Sequence, residues 1–273
     1  MAQEIYKTIR GGTPRMFDYL ADVWNSRKLI YTFASRDLKI QYAQTYLGIL
    51  WSVIQPLTAL VIFTFFFSRI IRVHLDVPYP VFAFTGIMGW FFFTHLVAQA
   101  GTVLMSNQFL IKKMHFPRLV LLISKVLVGL VEFGIAFSIL MVILIVSGTP
   151  ISAKIFLVPL VLLANIIAGL SISIWLSAFT IRFRDLHHII PYLIGFGIWL
   201  TPVFYPKAML PPSAQWIYYV HPVANVLALY RWIFIGMPIN IGQICCSFSI
   251  ALVMFITGLF VFVRNEKIIA DFI

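Results

Sequence analysis

Charge is scarce in this sequence: 20 basic and 9 acidic side chains make up only 11% of 273 residues, against about 25% in an ordinary soluble domain. The scarcity is concentrated. Segments 41–68, 77–111, 155–181, 186–206 and 232–263 contain no Asp, Glu, Lys or Arg, and segment 119–146 holds only Lys125 and Glu132. Helices built from such stretches have no polar face to turn toward water, which excludes a soluble globular domain. A helix crossing the roughly 30 Å apolar core of a bilayer needs about 20 mostly apolar residues. The sequence therefore predicts an all-α integral membrane protein with six transmembrane helices.

Other absences narrow the chemistry. The two cysteines, Cys245 and Cys246, are adjacent. On a helix they point about 100° apart and form no ordinary disulfide, so they read as small apolar filler. The six histidines are scattered, apart from His187-His188 on different helix faces, and no metal centre is expected. No G-x-x-x-x-G-K-[ST] loop occurs, so the chain binds no nucleotide by that route and no cofactor is expected on it. A proton-coupled carrier usually carries several intramembrane acids, whereas here Glu132 stands alone. A membrane-embedded glycosyl- or acyltransferase would need clustered acids or a histidine–acid pair facing water, and the sequence displays neither. Lys125 and Glu132 lie two helical turns apart on one face. Pairing is open to them, within the bundle or across chains, with structural neutralisation at least as good a reading as a part in a transport path.

The net charge of +11 raises nucleic acid as a partner, but its distribution speaks for topology. Fourteen Lys/Arg fall before the first span or in alternate connections (Lys112, Lys113, Arg118, Arg182, Arg184, Arg264 and Lys267 among them), while the opposite connections hold five. This is the positive-inside bias of a six-span protein with both termini in the cytoplasm. The polar, mixed-charge first 46 residues predict no cleavable signal peptide and a retained first anchor.

Residues 1–46 read as a cytoplasmic segment and 47–273 as the transmembrane domain. In the former, Thr13-Pro14 predicts a helix start after the Gly11-Gly12 joint. Met16, Phe17, Leu20, Val23 and Trp24 form an apolar stripe at helical spacing. The helix is expected either in the membrane interface or packed on the bundle. Spans are expected near 47–68, 80–104, 119–146, 155–180 and 187–204, with a proline-induced kink at Gln55-Pro56 in the first. Segment 107–118, polar and basic, is long enough for a short helix. Between Thr201 and Pro238 lie Pro202, Pro206, Pro211, Pro212, Pro222 and Pro238. They forbid one straight spanning helix and predict two short external helices, about 213–220 and 223–235, broken at His221-Pro222. Their aromatic residues predict a place at the external interface.

Several blocks carry a family resemblance. Arg36-Asp37-Leu38-Lys39, Gln41-Tyr42, Thr45, Leu47-Gly48, Trp51 and Gln55-Pro56 resemble the lead into the first span of ABC-2 type polysaccharide export permeases. NQFLIKKMHFPR (107–118) resembles the loop after their second span, and RFRDLHHIIPYL (182–193) the link into their fifth. TPVFYP (201–206) and Tyr230-Arg231 resemble their external region, with a departure at His221-Pro222, where Asn-Pro is expected. The likeness spans essentially the whole chain, in order.

The resemblance implies the permease of an exporter of lipid-linked polysaccharide, of the Wzm-type O-antigen class or its capsule and teichoic acid relatives, in the bacterial inner membrane. It implies a homodimer working with two copies of a separate ABC ATPase subunit, which holds the ATP and Mg²⁺. The coupling contacts implied are Asn107, Gln108, Lys112, Lys113, His115 and Arg118, then Arg182, Arg184 and Asp185. Trp216, Tyr218, Tyr219, His221 and Tyr230 would form an external gate. Sugar faces stack on aromatic rings, so Phe66, Trp90, Phe91, Phe92, Phe93 and Trp199 are candidates for a polymer path, with ordinary packing the default for any one ring. The polyprenyl diphosphate carrier needs cations at the membrane surface, where Arg36 and Lys39 are expected, and headgroup anchoring is the alternative for both.

Overall fold

A computed structural model describes residues 16–43, 46–73, 75–183 and 185–272, with backbone alone for the side chains at 181–182, 265 and 267–272. Among the described residues the chain is helical throughout and contains no strand. The Thr13-Pro14 start, Thr45 and Arg184 lie outside them, as does the Arg182 side chain.

Two helices precede the first span. α1 (Met16–Asn25) and α2 (Arg27–Tyr42) meet at Ser26, whose hydroxyl donates to the Asp22 carbonyl at 2.8 Å. The apolar stripe of α1 divides. Tyr19 and Val23 pack with Ile30 and Phe33 of α2 against Leu119–Leu122, Phe262 and Val263, whereas Phe17 and Trp24 point outward. The helix thus packs on the bundle through one edge and keeps large apolar side chains on the other, a placement suited to a membrane surface.

Five helices are long and apolar enough to cross a membrane: Gly48–Ile70, Tyr79–Ser106, Leu119–Val146, Ala153–Thr180 and Ile241–Arg264. The first comprises a 3₁₀ turn, α3 (Trp51–Thr64, containing Pro56) and a π-helical end over Phe65–Ile70. The second comprises α4 (Tyr79–His95), a π-helical segment Leu96–Ala100 and α5 (Gly101–Ser106). After α6 (Gln108–Lys113) come α7 (Leu119–Val146) and α8 (Val158–Arg182). α4 is the axis of the fold. Nearly every side chain from Tyr79 to Phe93 is buried, against α3, α7, α8 and the helix Pro222–Ile235.

The expected fifth span is shorter than its neighbours. α9 (Leu186–Leu200) has 15 residues, roughly 22 Å at about 1.5 Å per residue, and gives way at Thr201-Pro202 to a buried turn. There Tyr79 donates its hydroxyl to the Phe204 carbonyl at 2.8 Å, and Phe204 stacks on Phe63. The uncharged stretch 232–263 is also divided. α11 (Pro222–Ile235) ends at Gly236, whose φ of 71° closes the helix in the left-handed conformation. Pro238 follows, and α12 (Ile241–Phe272) starts afresh.

The proline-rich segment folds as two short helices, α10 (Ile217–Val220) and α11. His221 is extended because a proline follows, and Pro222 opens α11. Its location differs from the interfacial one expected. α11 runs alongside α4, with Arg231 near Gly86, Leu227 and Tyr230 near Gly89, and His221 near Phe93. Valine, alanine and leucine surround α11 on all sides, and such a helix is buried rather than laid on a surface. Both ends of the segment meet at one end of the bundle, the far end from α6: Arg231 donates to the Val203 carbonyl, and Lys207 to Gln243 Oε1, each at 2.6 Å.

Small residues permit this close approach. A methyl group on Gly86 would sit 2.5 Å from the Val203 carbonyl oxygen and 2.9 Å from an Arg231 nitrogen, while one on Gly134 of α7 would meet nothing within 4 Å. Gly86→Ala should therefore destabilise the detergent-solubilised protein by about 1–3 kcal/mol through overpacking, and Gly134→Ala should be neutral or stabilising. Thermal unfolding of both variants checks this. A Gly86→Ala midpoint at or above the wild-type value would contradict the close contact.

Candidate functional site

At one end of the bundle, α6 sits between the second span and α7. Asn107 precedes its first turn and donates its amide back to the Val103 carbonyl at 2.9 Å, Ile111 anchors it, and Phe109, Lys112, Lys113, Met114 and His115 are exposed. Lys113 Nζ lies 4.1 Å from the centre of the Phe109 ring, so the exposed face is both cationic and aromatic. Gln108 is half-buried. Arg118 differs from its neighbours. Its backbone N–H and side chain both donate to Glu266 Oε1, at 2.8 and 2.9 Å, which ties the start of α7 to α12 and places a carboxylate at a helix N-terminus. Asp185 and His187 are exposed at the start of α9, the second connection expected at this end.

A chain of polar contacts leads inward from α6. Arg36 of α2 donates to Asn107 Oδ1 at 3.1 Å and grips Asp37 Oδ1 through Nε and an η nitrogen at 2.9 and 2.8 Å. Asp37 Oδ2 lies 2.9 Å from Lys125 Nζ of α7, an ion pair by distance without the alignment of a hydrogen bond. One turn further along α2, Gln41 Nε2 donates to Glu132 Oε1 at 2.6 Å. His95 of α4 joins the two rungs: Nδ1 is 2.9 Å from Glu132 Oε2, and Nε2 is 3.3 Å from the Lys125 carbonyl. Within this chain Lys125 and Glu132 therefore do not make the pair that their shared helix face suggests. About 10 Å of helix rise separates them, and each turns to a different residue of α2.

The chain ends at a cavity of about 250 Å³ bordered by α2, α3, α4 and α7. Gln41, Tyr42, Ser52, Gln55 and Glu132 supply its polar wall, and Trp51, Phe91 and Phe92 its aromatic wall. Tyr42 and Ser52 hydroxyls lie 2.8 Å apart, linking α2 to α3. Pro56 borders the same cavity. Lacking an N–H, it frees the Ser52 carbonyl from its intrahelical partner, which loosens α3 beside this opening.

His95 and Glu132 form a histidine–acid pair that sequence alone does not display. Gln41, His95 and the Lys125 carbonyl occupy the facing atoms, so the pair acts as a structural junction. Asp37, Gln41 and His95 are absent from the sequence-predicted site. Two signals were present for them: Asp37 and Gln41 stand four apart on α2, and Lys125 and Glu132 are ionisable groups within an apolar span, each needing a partner.

The remaining candidates separate. Arg36 is committed to Asp37 and Asn107, while Lys39 is exposed. Of the aromatic residues, Phe66 is exposed on the π-helical end of the first span and Trp199 on α9, Phe91 is half-buried at the cavity, and Trp90, Phe92 and Phe93 pack inside the bundle. At the far end, Trp216 and Tyr219 are exposed, whereas Tyr218 and Tyr230 are buried, Tyr230 with its ring centre 6.0 Å from that of Phe133. Burial holds His221 down at about 4, so its imidazole is neutral at physiological pH. Cys245 and Cys246 are exposed free thiols on α12 rather than packed filler. Among the described residues no group of His, Cys, Asp or Glu is placed to hold a metal ion.

Comparison with known proteins follows the same ground. The O-antigen export system permease protein RfbA of Klebsiella pneumoniae is 29% identical over 235 residues, covering 86% of this chain and 90% of its own length. The protein of that name from Myxococcus xanthus is 25% identical over 221 residues, 80% of this chain and 85% of its own. The polysialic acid transport protein KpsM of Escherichia coli is 24% identical over 200 residues, 72% and 77% of the two chains. The family described as ABC-2 type transporter matches residues 28–235, from the first turn of α2 to the last residue of α11, and the chain belongs to that family of membrane permeases.

Proposed function

We propose that the chain is the permease subunit of a bacterial inner-membrane exporter of lipid-linked polysaccharide, an O-antigen type polymer, with capsule or teichoic acid as the alternative cargo. It works as a homodimer with two copies of a separate ABC ATPase, and ATP and Mg²⁺ are bound by that subunit. The observation that carries this proposal is the polar chain from Asn107 to Glu132, which joins an exposed basic helix to a cavity inside the bundle. The names of the relatives support the cargo class.

In this mechanism α6 docks in the ATPase. Lys112, Lys113 and His115 meet acidic groups there, with Arg182, Arg184 and Asp185 as the second contact. Movement of α6 pulls on Arg36 through Asn107 and shifts α2 as a unit, because Asp37 and Gln41 are both fixed to α7. Gln41 and Tyr42 then move against α3 beside Pro56, opening the cavity sideways for the carrier. Lys39, exposed on α2 one turn before Tyr42, attracts the carrier's diphosphate. The exposed rings of the first span and α9, Phe66 and Trp199 among them, face the second protomer across the polymer path.

Both termini are cytoplasmic here, and α9 with its buried turn serves as the fifth of six spans. Lys112→Glu combined with Lys113→Glu should leave membrane insertion intact, abolish stimulation of the ATPase by cargo, and cut export at least tenfold. ATPase and export assays on the coexpressed complex check this, and wild-type export in the variant would remove α6 from the mechanism. For topology, single cysteines at Ser213 and Asn240, in a Cys245→Ser, Cys246→Ser background, should both react with an impermeant thiol reagent added from outside. Labelling at one site alone would place a crossing between them and contradict the six-span count.

A further inference from the structure

A second cavity, of about 300 Å³, lies at the far end between Pro206-Lys207, α10, α11 and the start of α12. Its polar lining is Lys207, Tyr218, Asn225, Arg231, Asn240 and Gln243, and among the described residues no carboxylate borders it. Arg231 is only 5% exposed. One η nitrogen donates to the Val203 carbonyl, the guanidinium stacks 3.8 Å from the centre of the Phe82 ring, and Nε has no hydrogen-bond partner. Lys207 Nζ donates to Gln243 Oε1 and lies 4.8 Å from the Tyr218 ring centre, also without an acid.

Two cations on one cavity wall without a carboxylate are an unusual arrangement. A buried charge is normally paired, because desolvation is several kcal/mol unfavourable otherwise. The other buried ionic groups of this protein obey that rule: Lys125 has Asp37, Arg118 has Glu266, and Glu132 has His95. Asp76, just before α4, is exposed and does not line the cavity. Burial lowers Lys207, and it lowers Arg231 to about 10, so Arg231 remains cationic at neutral pH.

A guanidinium and an ammonium on one wall both offer N–H donors to the oxygens of a phosphate. With its Oε1 taken by Lys207, Gln243 has an amide N–H to offer, and Asn240 and Tyr218 are further donors. We propose that this cavity is a binding site for a phosphate-class oxyanion, a phosphate or diphosphate group borne by a lipid or by a soluble compound, held between Lys207 and Arg231. The export mechanism does not use this site. Binding requires neither the ATPase nor a particular membrane orientation, so it can fail or succeed separately from that mechanism.

The test uses the full chain in nonionic detergent, with thermal unfolding followed against inorganic pyrophosphate, farnesyl diphosphate below its micellar concentration, and farnesol, each compared with KCl at matched ionic strength. A saturable rise in midpoint with either diphosphate is expected, with none from farnesol. An apparent affinity at least tenfold tighter for farnesyl diphosphate assigns the site to a lipid headgroup, and equal affinities assign it to a free oxyanion. Lys207→Gln should weaken binding at least tenfold, and Lys207→Arg should keep it within about threefold. Arg231→Gln also removes the tie to Val203, so Lys207 carries the decision. No saturable shift with either diphosphate, or equal binding by wild type and Lys207→Gln, would overturn the site.

Discussion

Arg36, Asp37, Lys125, Glu132, His95 and Gln41 are held together in largely apolar surroundings, and the need of each for a partner fixes where α2 sits on the bundle. The first turns of α2 are anchored by ordinary burial of Ile30, Phe33 and Ala34. Beyond Ala34 no side chain of α2 is buried, so apolar packing alone would leave its second half free to swing. Two polar rungs take over there. Asp37 neutralises Lys125, and Gln41 satisfies Glu132, both of which belong to a span that would be expensive to insert with unpaired charges. The same contacts that solve this desolvation problem join α6 to the cavity, through Asn107 at one end and Gln41 at the other.

The far end of the bundle is held by a different device. Gly86 and Gly89 let α11 lie against α4 with side chains in direct contact with the backbone. Asn165 donates to the Gly89 carbonyl at 3.0 Å, and Asn225 links α10 to Ser247 of α12. These amides satisfy backbone carbonyls and hydroxyls in a place where water is scarce. α11 is therefore a fixed part of the core for most of its length, and the exposed aromatic residues Trp216 and Tyr219 sit in the segment before it.

The long apolar stretches made the membrane class and the five long apolar helices legible from sequence, because freedom from charge over about 20 residues has few other solutions, and the polar segment 107–118 announced the short helix α6. Pro222 and the six-proline segment announced two short helices in nearly their observed positions. What periodicity and composition left unread were partners. Lys125 and Glu132 share a face of α7, yet the residues that neutralise them come from α2 and α4, and nothing local to α7 encodes that. The depth of α11 was missed for a related reason. Aromatic richness signals an interface only when the rings face lipid, whereas Tyr218 and Tyr230 are turned into the core by contacts with α4, α7 and α12. Arg118, assigned to a partner subunit from its basic loop, is instead held by Glu266, 148 residues away.

The claim that α2 and α7 transmit motion as one unit is tested most directly by a double-mutant cycle on Asp37 and Lys125, read as ATP-driven export by the permease coexpressed with its ATPase at matched membrane levels. Asp37→Asn and Lys125→Gln should each reduce export about tenfold or more, and the double variant should be no worse than the more damaging single one, since both break the same link. Independent effects that multiply in the double variant, or single variants that export at the wild-type rate, would contradict the account.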